Sequence, residues 1–478
     1  MDKKKLIRLI ISLVVFLVAW NIPAAYLGMP DLSIIEQRVV AIFAFTALMW
    51  ILEVVPIWTT SVMAMVLMLL TVSNHALIFL QQGDMDIAVY GKAISYKSIM
   101  ASFADPIIML FLGGFALAMA ATKVGLDVNL ARVFLKPFGT RSEIVLLGFL
   151  VVTAIFSMFM SNTATAAMML AIIAPVLRAL PADGKGKVAL ALAIPIGANV
   201  GGIGTPIGTP PNAIALKYME ESGMGSIDFG PWMLIMVPFV IVILAFSWFL
   251  LLKFYPFKQK NIEITIHGAF NTDPKSIIVY VTFAVTVLLW IFSKYVGLDS
   301  NTIAMIPLAV FCVTGVLGKE DIKSVSWDVL WLVAGGFALG VGLDQSGLAK
   351  HIVEAIPFDS WSPIMVFIGS GLVCYLMATF MSHTATANLL MPILGALAVG
   401  MKDSVAPFGG AVTMLVGVAV ASSLAMALPI STPPNALAHS TGFIEQRDMA
   451  KVGILIGLVG IALGYLLLIG VGHFGFFA

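Results

Sequence analysis

Charge is what this chain has least of. Lys, Arg, Asp and Glu make up 11% of its 478 residues, under half the roughly 25% of an ordinary soluble domain. A soluble protein of this length folds as two or three domains, each needing a charged surface. That covering is missing, which excludes soluble enzymes and nucleic-acid binders. The signs balance, 26 basic against 25 acidic residues, for a net charge of +1, so there is no global preference for acidic partners. Cysteine is nearly absent. Cys312 and Cys374 lie in apolar runs without CxxC or Cys/His spacing, which rules out a disulfide framework or zinc site and leaves each as a small packing residue. No Walker A motif is present, which argues against ATP-driven pumping. What fills the chain instead is hydrophobic residues, at 60%. This is the composition of an integral membrane protein.

Stretches of about 20 apolar residues, punctuated by Lys, Arg, Gly and Pro clusters, predict an all-α polytopic protein. Eleven transmembrane helices are expected, at 6–26, 37–55, 57–73, 106–122, 188–216, 232–254, 276–296, 301–317, 327–346, 407–438 and 452–473. Two longer apolar stretches, 143–180 and 362–401, are each broken midway by a polar Ser-x-Thr tripeptide rather than by a charged loop. They read as re-entrant hairpins, because lipid tolerates non-helical backbone only where protein or a water-filled cavity supplies hydrogen bonds. With the N-terminus inside and the C-terminus outside, 19 basic residues fall on inner segments and 7 on outer ones, as the positive-inside rule requires. The apolar run after the first lysines lacks a small-x-small cleavage site and reads as a retained helix. Glu53, near a span end and before Pro56, reads as an interfacial or helix-capping carboxylate.

Self-comparison finds three blocks repeated in one order. Gly113-Gly114-Phe115-Ala116-Leu117 recurs at 335–339, Ser161-Asn162-Thr163-Ala164-Thr165-Ala166 as Ser382-His383-Thr384-Ala385-Thr386-Ala387, and Thr209-Pro210-Pro211-Asn212-Ala213 at 432–436. An odd number of crossings separates the copies, the inverted-topology repeat of secondary transporters. The expected units are scaffold helices over 1–99, repeat 1 over 100–255, connecting scaffold helices over 276–317 and repeat 2 over 322–473. Repeat 1 holds the hairpin 143–180 and a broken helix 188–216; repeat 2 holds the hairpin 362–401 and a broken helix 407–438. Prolines 206, 210 and 211 remove donors and the surrounding glycines permit unwinding, so each broken crossing should be two half-helices joined by exposed backbone. Half-helix N-termini suit an anion, and freed carbonyls suit a small cation. Residues 144–177, 188–216, 362–401 and 404–444 contain no Asp, Glu, Lys or Arg. This speaks against a channel with charged rings or a carboxylate-based proton antiporter. The catalytic pairs of an intramembrane protease are also missing from the repeats.

Ser-Asn-Thr at one hairpin tip, Gly-Thr-Pro-Ile-Gly-Thr-Pro-Pro-Asn-Ala in one broken helix, and the inverted repetition of both resemble the divalent anion/sodium symporter family over essentially the whole chain. The resemblance implies a non-enzymatic homodimeric carrier in the cytoplasmic (inner) membrane, in contact with lipid. In it the hairpins and broken helices move as an elevator against a scaffold. Expected substrates are C4 dicarboxylates such as succinate, malate and fumarate, with sulfate or tricarboxylates such as citrate as the alternative. By motif, Asn162, Thr163, Thr209 and Pro210 would face one carboxylate, and His383, Thr384, Thr432 and Pro433 the other. One sodium ion would sit among Ser157, Ser161, Asn162 and Gly208, and a second near Ser382, His383 and Ser431. The second tip departs from the pattern. His383 replaces an amide, and Ala378 stands where the first copy has Ser157. Imidazole offers no oxygen, and when protonated it can take the place of a cation. Sodium symport, exchange and partial proton coupling all stay open on these residues, as does a contribution from His439.

Overall fold

The computed structural model describes residues 3–27, 29, 31–180, 184–225, 227–263, 269–355, 362–474 and 476. Among them there are two isolated β-bridges and no strand. The chain opens with α1 (Lys3–Asn21), α2 (Ile34–Ile51) and α3 (Ile57–Thr71). The first repeat follows as α4 (Pro106–Lys123), α5 (Leu126–Leu135), α6 (Ser142–Ser157), α7 (Asn162–Ala179), α8 (Lys185–Gly202), α9 (Pro210–Glu221) and α10 (Phe229–Phe254). Two connecting helices, α11 (Pro274–Ile291) and α12 (Ser300–Val313), precede the second repeat. That repeat comprises α13 (Trp327–Ser346), α14 (Leu348–Ala355), α15 (Pro363–Phe380), α16 (His383–Gly400), α17 (Gly410–Ser423), α18 (Pro433–Ser440) and α19 (Gln446–His473).

The starts of these helices are written locally. Ser33 and Glu36 form a capping box on α2, Ser33 N donating to Glu36 Oε2 at 2.9 Å. Asp-Pro pairs open α4 and α11, with Asp105 and Asp273 each accepting from a first-turn N–H at 2.9 and 3.1 Å. In each case the aspartate satisfies an orphan donor while the proline, which has none to lose, fixes the first helical φ.

Among the described helical runs, nine are long and apolar enough to cross a bilayer. They are α2, α4 with the short helix before it, α7, α10, α11, α13, α15, α16 and α19. The apolar helices α3, α6, α12 and α17 are shorter, at 14 to 16 residues. Three of the nine are hairpin arms, so length and composition do not separate a full crossing from an arm. Helix for helix, α4–α10 and α13–α19 follow one plan: a crossing, a short helix, two hairpin arms, a broken pair and a long closing helix. The arms α7 and α16 have 18 residues each, and the closing helices 26 and 28. Glu53 is exposed and takes a left-handed φ of 45° just past the end of α2, at the helix end the sequence suggested. Cys374 is buried, whereas Cys312 is exposed on α12 and packs into no core, contrary to the sequence reading.

The two repeats interlock. In the first repeat α9 lies on α16 and α17 of the second, and α18 of the second lies on α7 and α8 of the first. Around them α4 packs on α12, and α3 on α13. Those last two contacts explain the first glycine of each repeated Gly-Gly. A Cβ at Gly113 would run into the Ala304 carbonyl of α12, and one at Gly335 would lie 2.7 Å from Ser61 Cα of α3. At Gly114 the nearest atom is Ile207 Cδ1, at 3.8 Å. Overpacking against backbone costs about 1–3 kcal/mol. Gly113→Ala and Gly335→Ala are therefore expected to lower the thermal unfolding midpoint of the purified protein by several degrees, while Gly114→Ala leaves it unchanged in the same melt.

Candidate functional site

The two hairpin tips and the two helix breaks meet at one cavity of about 370 Å³. The first tip contributes Ser161, Asn162 and Thr163, and the first break Gly208, Thr209 and Pro210. From the second repeat come Ser382, His383 and Thr384 at the tip, and Ser431, Thr432 and Pro433 at the break. Of the thirteen positions assigned to substrate or sodium by the sequence, Ser157 alone is not in the wall. It sits one turn behind the tip, its Oγ 2.5 Å from Asn162 Oδ1 and 2.7 Å from the Ala198 carbonyl. His439 is exposed on α18 and does not line the cavity.

These residues are where they are because each stands at the start of a helix. Ser161 caps α7, accepting from Ala164 N at 3.2 Å, and Ser382 caps α16, accepting from Ala385 N at 3.1 Å. Thr209 and Thr432 are the N-caps of α9 and α18, and a Pro-Pro pair begins each of these helices. Four helix N-termini thus converge on one cavity. Each brings a positive dipole end, and the first N–H groups of the hairpin helices have no acceptor within their own helix. No Lys or Arg lines the wall. What the wall offers a ligand is oriented dipoles, amides and hydroxyls.

The breaks hold their shape through one asparagine each. In the first, Asn212 Nδ2 donates to the carbonyls of Thr205 at 2.9 Å, Gly202 at 3.1 Å and Ile203 at 3.3 Å. In the second, Asn435 Nδ2 donates to Met426 O at 2.8 Å and Leu428 O at 2.9 Å. The first linker is buried throughout, not the exposed backbone the sequence suggested. A side-chain amide satisfies carbonyls that would otherwise be orphaned in an apolar interior.

Oxygen atoms gather behind the first tip. Ser157 Oγ lies within hydrogen-bond distance of both Asn162 Oδ1 and the Ala198 carbonyl. A Cβ built on Gly202 would come within 2.9 Å of both the Gly208 carbonyl and Asn162 Oδ1, so the break and the tip touch only because residue 202 is glycine. Neutral hydroxyl, amide and carbonyl oxygens fit a hard monovalent cation. Among the described residues no group of three or more His, Cys, Asp or Glu is arranged to hold a metal ion.

Behind the second tip the oxygens are already bonded. His383 is buried, and its Nε2 lies 2.6 Å from the Ala425 carbonyl. A carbonyl only accepts, so Nε2 carries the proton. Ser431 Oγ donates to the Thr379 carbonyl at 2.7 Å. The counterparts of these two carbonyls in the first repeat, those of Gly202 and Met158, accept from Asn212 and Thr205 instead.

Sequence reasoning missed part of the wall. Asn199 on α8 lines the cavity, as do Phe111 and Phe115 of α4 and Ser326 and Asp328 at the start of α13. Asn199 is the lone polar side chain in the run from Val188 to Val200, a signal that was available. Asp328, exposed, is the one charged residue among those lining the cavity. Nothing in its local pattern distinguishes it from a helix-capping acid.

Comparison with known proteins agrees with this architecture. The sequence profile of the sodium:sulfate symporter transmembrane region matches residues 3–474. A protein of Staphylococcus saprophyticus named sodium-dependent dicarboxylate transporter SdcS is 31% identical over 460 residues, covering 88% of this chain and 83% of its own. A Haemophilus influenzae protein described as an uncharacterized transporter is 32% identical over 441 residues, covering 88% of each chain. Among solved structures, the Alcanivorax borkumensis YdaH transporter superposes with a TM-score of 0.54 at 13% identity, over 80% of this chain and 88% of its own. Neisseria gonorrhoeae MtrF superposes with a TM-score of 0.53 at 13% identity, over 87% and 94%; at such identity the likeness is one of fold. A membrane-wide helical repeat, a cavity built from paired tips and breaks, and a family profile spanning nearly every residue lead to one statement: the chain is a multi-pass membrane transporter, not an enzyme, and belongs to the sodium:sulfate symporter (divalent anion/sodium symporter) family.

Proposed function

We propose that this transporter carries C4-type dicarboxylates such as succinate, malate and fumarate across the cytoplasmic membrane. Sodium is coupled at the first tip, and the site moves as an elevator within each protomer of a homodimer. One observation carries the reading: two tips and two breaks from opposite repeats face one cavity, which matches a molecule with a carboxylate at either end. The relative named for sodium-dependent dicarboxylate transport supports it. The profile's sulfate label favours a smaller dianion as the second reading. Sulfate offers one centre to two tips, and the spread of donors across both repeats argues for the longer ligand. The test is uptake of labelled succinate or sulfate by purified protein in liposomes, with and without a sodium gradient.

Asn162→Ala and Thr384→Ala each remove hydrogen-bonding groups from a different tip, and either change should bring succinate uptake to background in protein that elutes and melts like wild type. Wild-type rates in a folded variant exclude the two-carboxylate site.

His383→Asn installs at the second tip the amide that the first tip already has and releases the Ala425 carbonyl. Sodium activation of uptake should become steeper in this variant. An unchanged sodium curve makes His383 a packing residue.

With the N-terminus inside, as the basic residues favour, Ile57 at the start of α3 and Asp328 at the start of α13 put this side of the cavity wall at the inner ends of those helices. On the half of α9 away from the cavity an ion pair ties that helix to α4. Buried Lys217 on α9 pairs with Asp105 at the cap of α4, lies 3.2 Å from Glu221 Oε1 and sits 3.8 Å above the Phe337 ring. Movement of α9 past the scaffold must break that pair, which holds the site facing inward. Asp105→Asn should therefore lower the apparent KM for external dicarboxylate and raise it for internal dicarboxylate, since a ligand's apparent affinity scales with the fraction of the competent state. Uptake by right-side-out and inverted vesicles reads the two values. Equal shifts on both sides mean the pair is merely structural.

A further inference from the structure

Asn199 holds the two repeats together in a way that fixes which of its amide atoms is free. Asn435 Nδ2 is committed to two carbonyls, so Asn435 presents its oxygen. Asn199 Nδ2 donates to that oxygen at 3.0 Å and to Thr432 Oγ1 at 3.3 Å. The orientation of Asn199 is thus set by backbone carbonyls at one remove. Its Oδ1 is left buried without a partner, on a residue only 1% exposed that lines the cavity. The repeat does not reproduce this arrangement, because the position 223 residues on is Ser422, and neither Ser422 nor Asn212 lines the cavity.

An orphan acceptor in the wall of a binding site is costly until a donor reaches it. A carboxylate brings no donor, and one on a plain dicarboxylate is repelled by an amide oxygen. A hydroxyl on the carbon between two carboxylates supplies the missing hydrogen. We propose that Asn199 is a specificity-determining residue whose Oδ1 accepts a hydrogen bond from a hydroxyl on the substrate's carbon chain, so that the site prefers 2-hydroxydicarboxylates to the same acids without the hydroxyl. This rests on the dicarboxylate reading above. The asymmetry of the repeat fits an asymmetric ligand: both tips meet a carboxylate, and one wall meets the hydroxyl.

The experiment uses ligand pairs that differ by one hydroxyl. Labelled succinate uptake into proteoliposomes is competed with unlabelled malate and with unlabelled succinate, for the full-length wild type and for Asn199→Ala. Malate should compete about tenfold better than succinate in wild type, on the scale of one buried hydrogen bond, and that ratio should fall close to one in the variant. Transport of both acids also drops, through the lost hold on Thr432, so the ratio is the readout. A wild-type ratio near one overturns the proposal by itself, whether or not the variant folds. An unchanged ratio in the variant overturns it too, and a changed sodium curve with an unchanged ratio would assign the oxygen to a cation instead. If neither acid is carried, the dicarboxylate reading fails, and the citrate and tricarballylate pair, with the same hydroxyl difference, puts the Asn199 question separately. Absence of discrimination there ends the proposal.

Discussion

On the proposed reading, the structure depends on one constraint: a small anion has to be held within an apolar protein without a basic side chain beside it. A fixed lysine in the cavity would bind the anion tightly in every state and would itself have to move through lipid-level protein. Charge placed in such a setting is costly unless paired. Helix N-termini avoid this. Their partial charge is spread over backbone groups that are neutral and already paid for by folding. Four of them at one point require four helices to begin in the middle of the protein, which is why the chain has two hairpins and two breaks. Lys217 shows the contrasting case. It is buried only in the company of Asp105, Glu221 and the Phe337 ring, on the far half of α9 from the cavity.

Starting helices at mid-depth leaves carbonyls and N–H groups that lipid cannot satisfy. The solution is local in each repeat and uses the same residue. Asn212 and Asn435, immediately after the two Pro-Pro pairs, turn their amides back onto the linker carbonyls. Thr205 ties the first linker to the hairpin by donating to the Met158 carbonyl, and its Oγ1 accepts from Gly208 N at 3.0 Å. Tip and break are therefore one rigid constellation, and a site that moves must carry both. The glycines at 202 and 208 let the two backbones meet.

Much of this was legible in the chain. Helix class came from apolar length, and the site came from repetition, because a polar tripeptide found twice at breaks in apolar runs is more informative than any single Ser or Thr. Twelve of the thirteen nominated positions line the cavity, and Ser157 supports one of the twelve. What stayed hidden was long-range. Asp328 and Ser326 reach the cavity only because α13 lies beside it, and the pairing of Lys217 with Asp105 spans 112 residues. The linker looked open because glycine and proline report only what the backbone is allowed to do. That an asparagine amide would close over it is a tertiary fact.

The repeat is symmetric in backbone and asymmetric in chemistry, and the asymmetry is concentrated behind the tips. Ser157 has Ala378 as its counterpart, Asn162 has His383, Thr205 has Leu428, and Gly208 has Ser431. Each exchange in the second copy either removes an oxygen or adds a donor. The added donors are used: His383 takes the Ala425 carbonyl and Ser431 takes the Thr379 carbonyl. Backbone carbonyls behind both tips accept protein hydrogen bonds, so the difference lies in the side chains: the first copy keeps the Ser157 hydroxyl and the Asn162 amide oxygen, and the second has neither. The anion-facing groups, in contrast, keep a hydroxyl or amide on both sides through Thr163 and Thr384, and through Thr209 and Thr432. On the proposed reading, duplication supplied two matching ends for the anion, and later divergence left the oxygens behind the two tips unequal. On the same reading, the coupling ion is bound chiefly from the first repeat, while the substrate needs both.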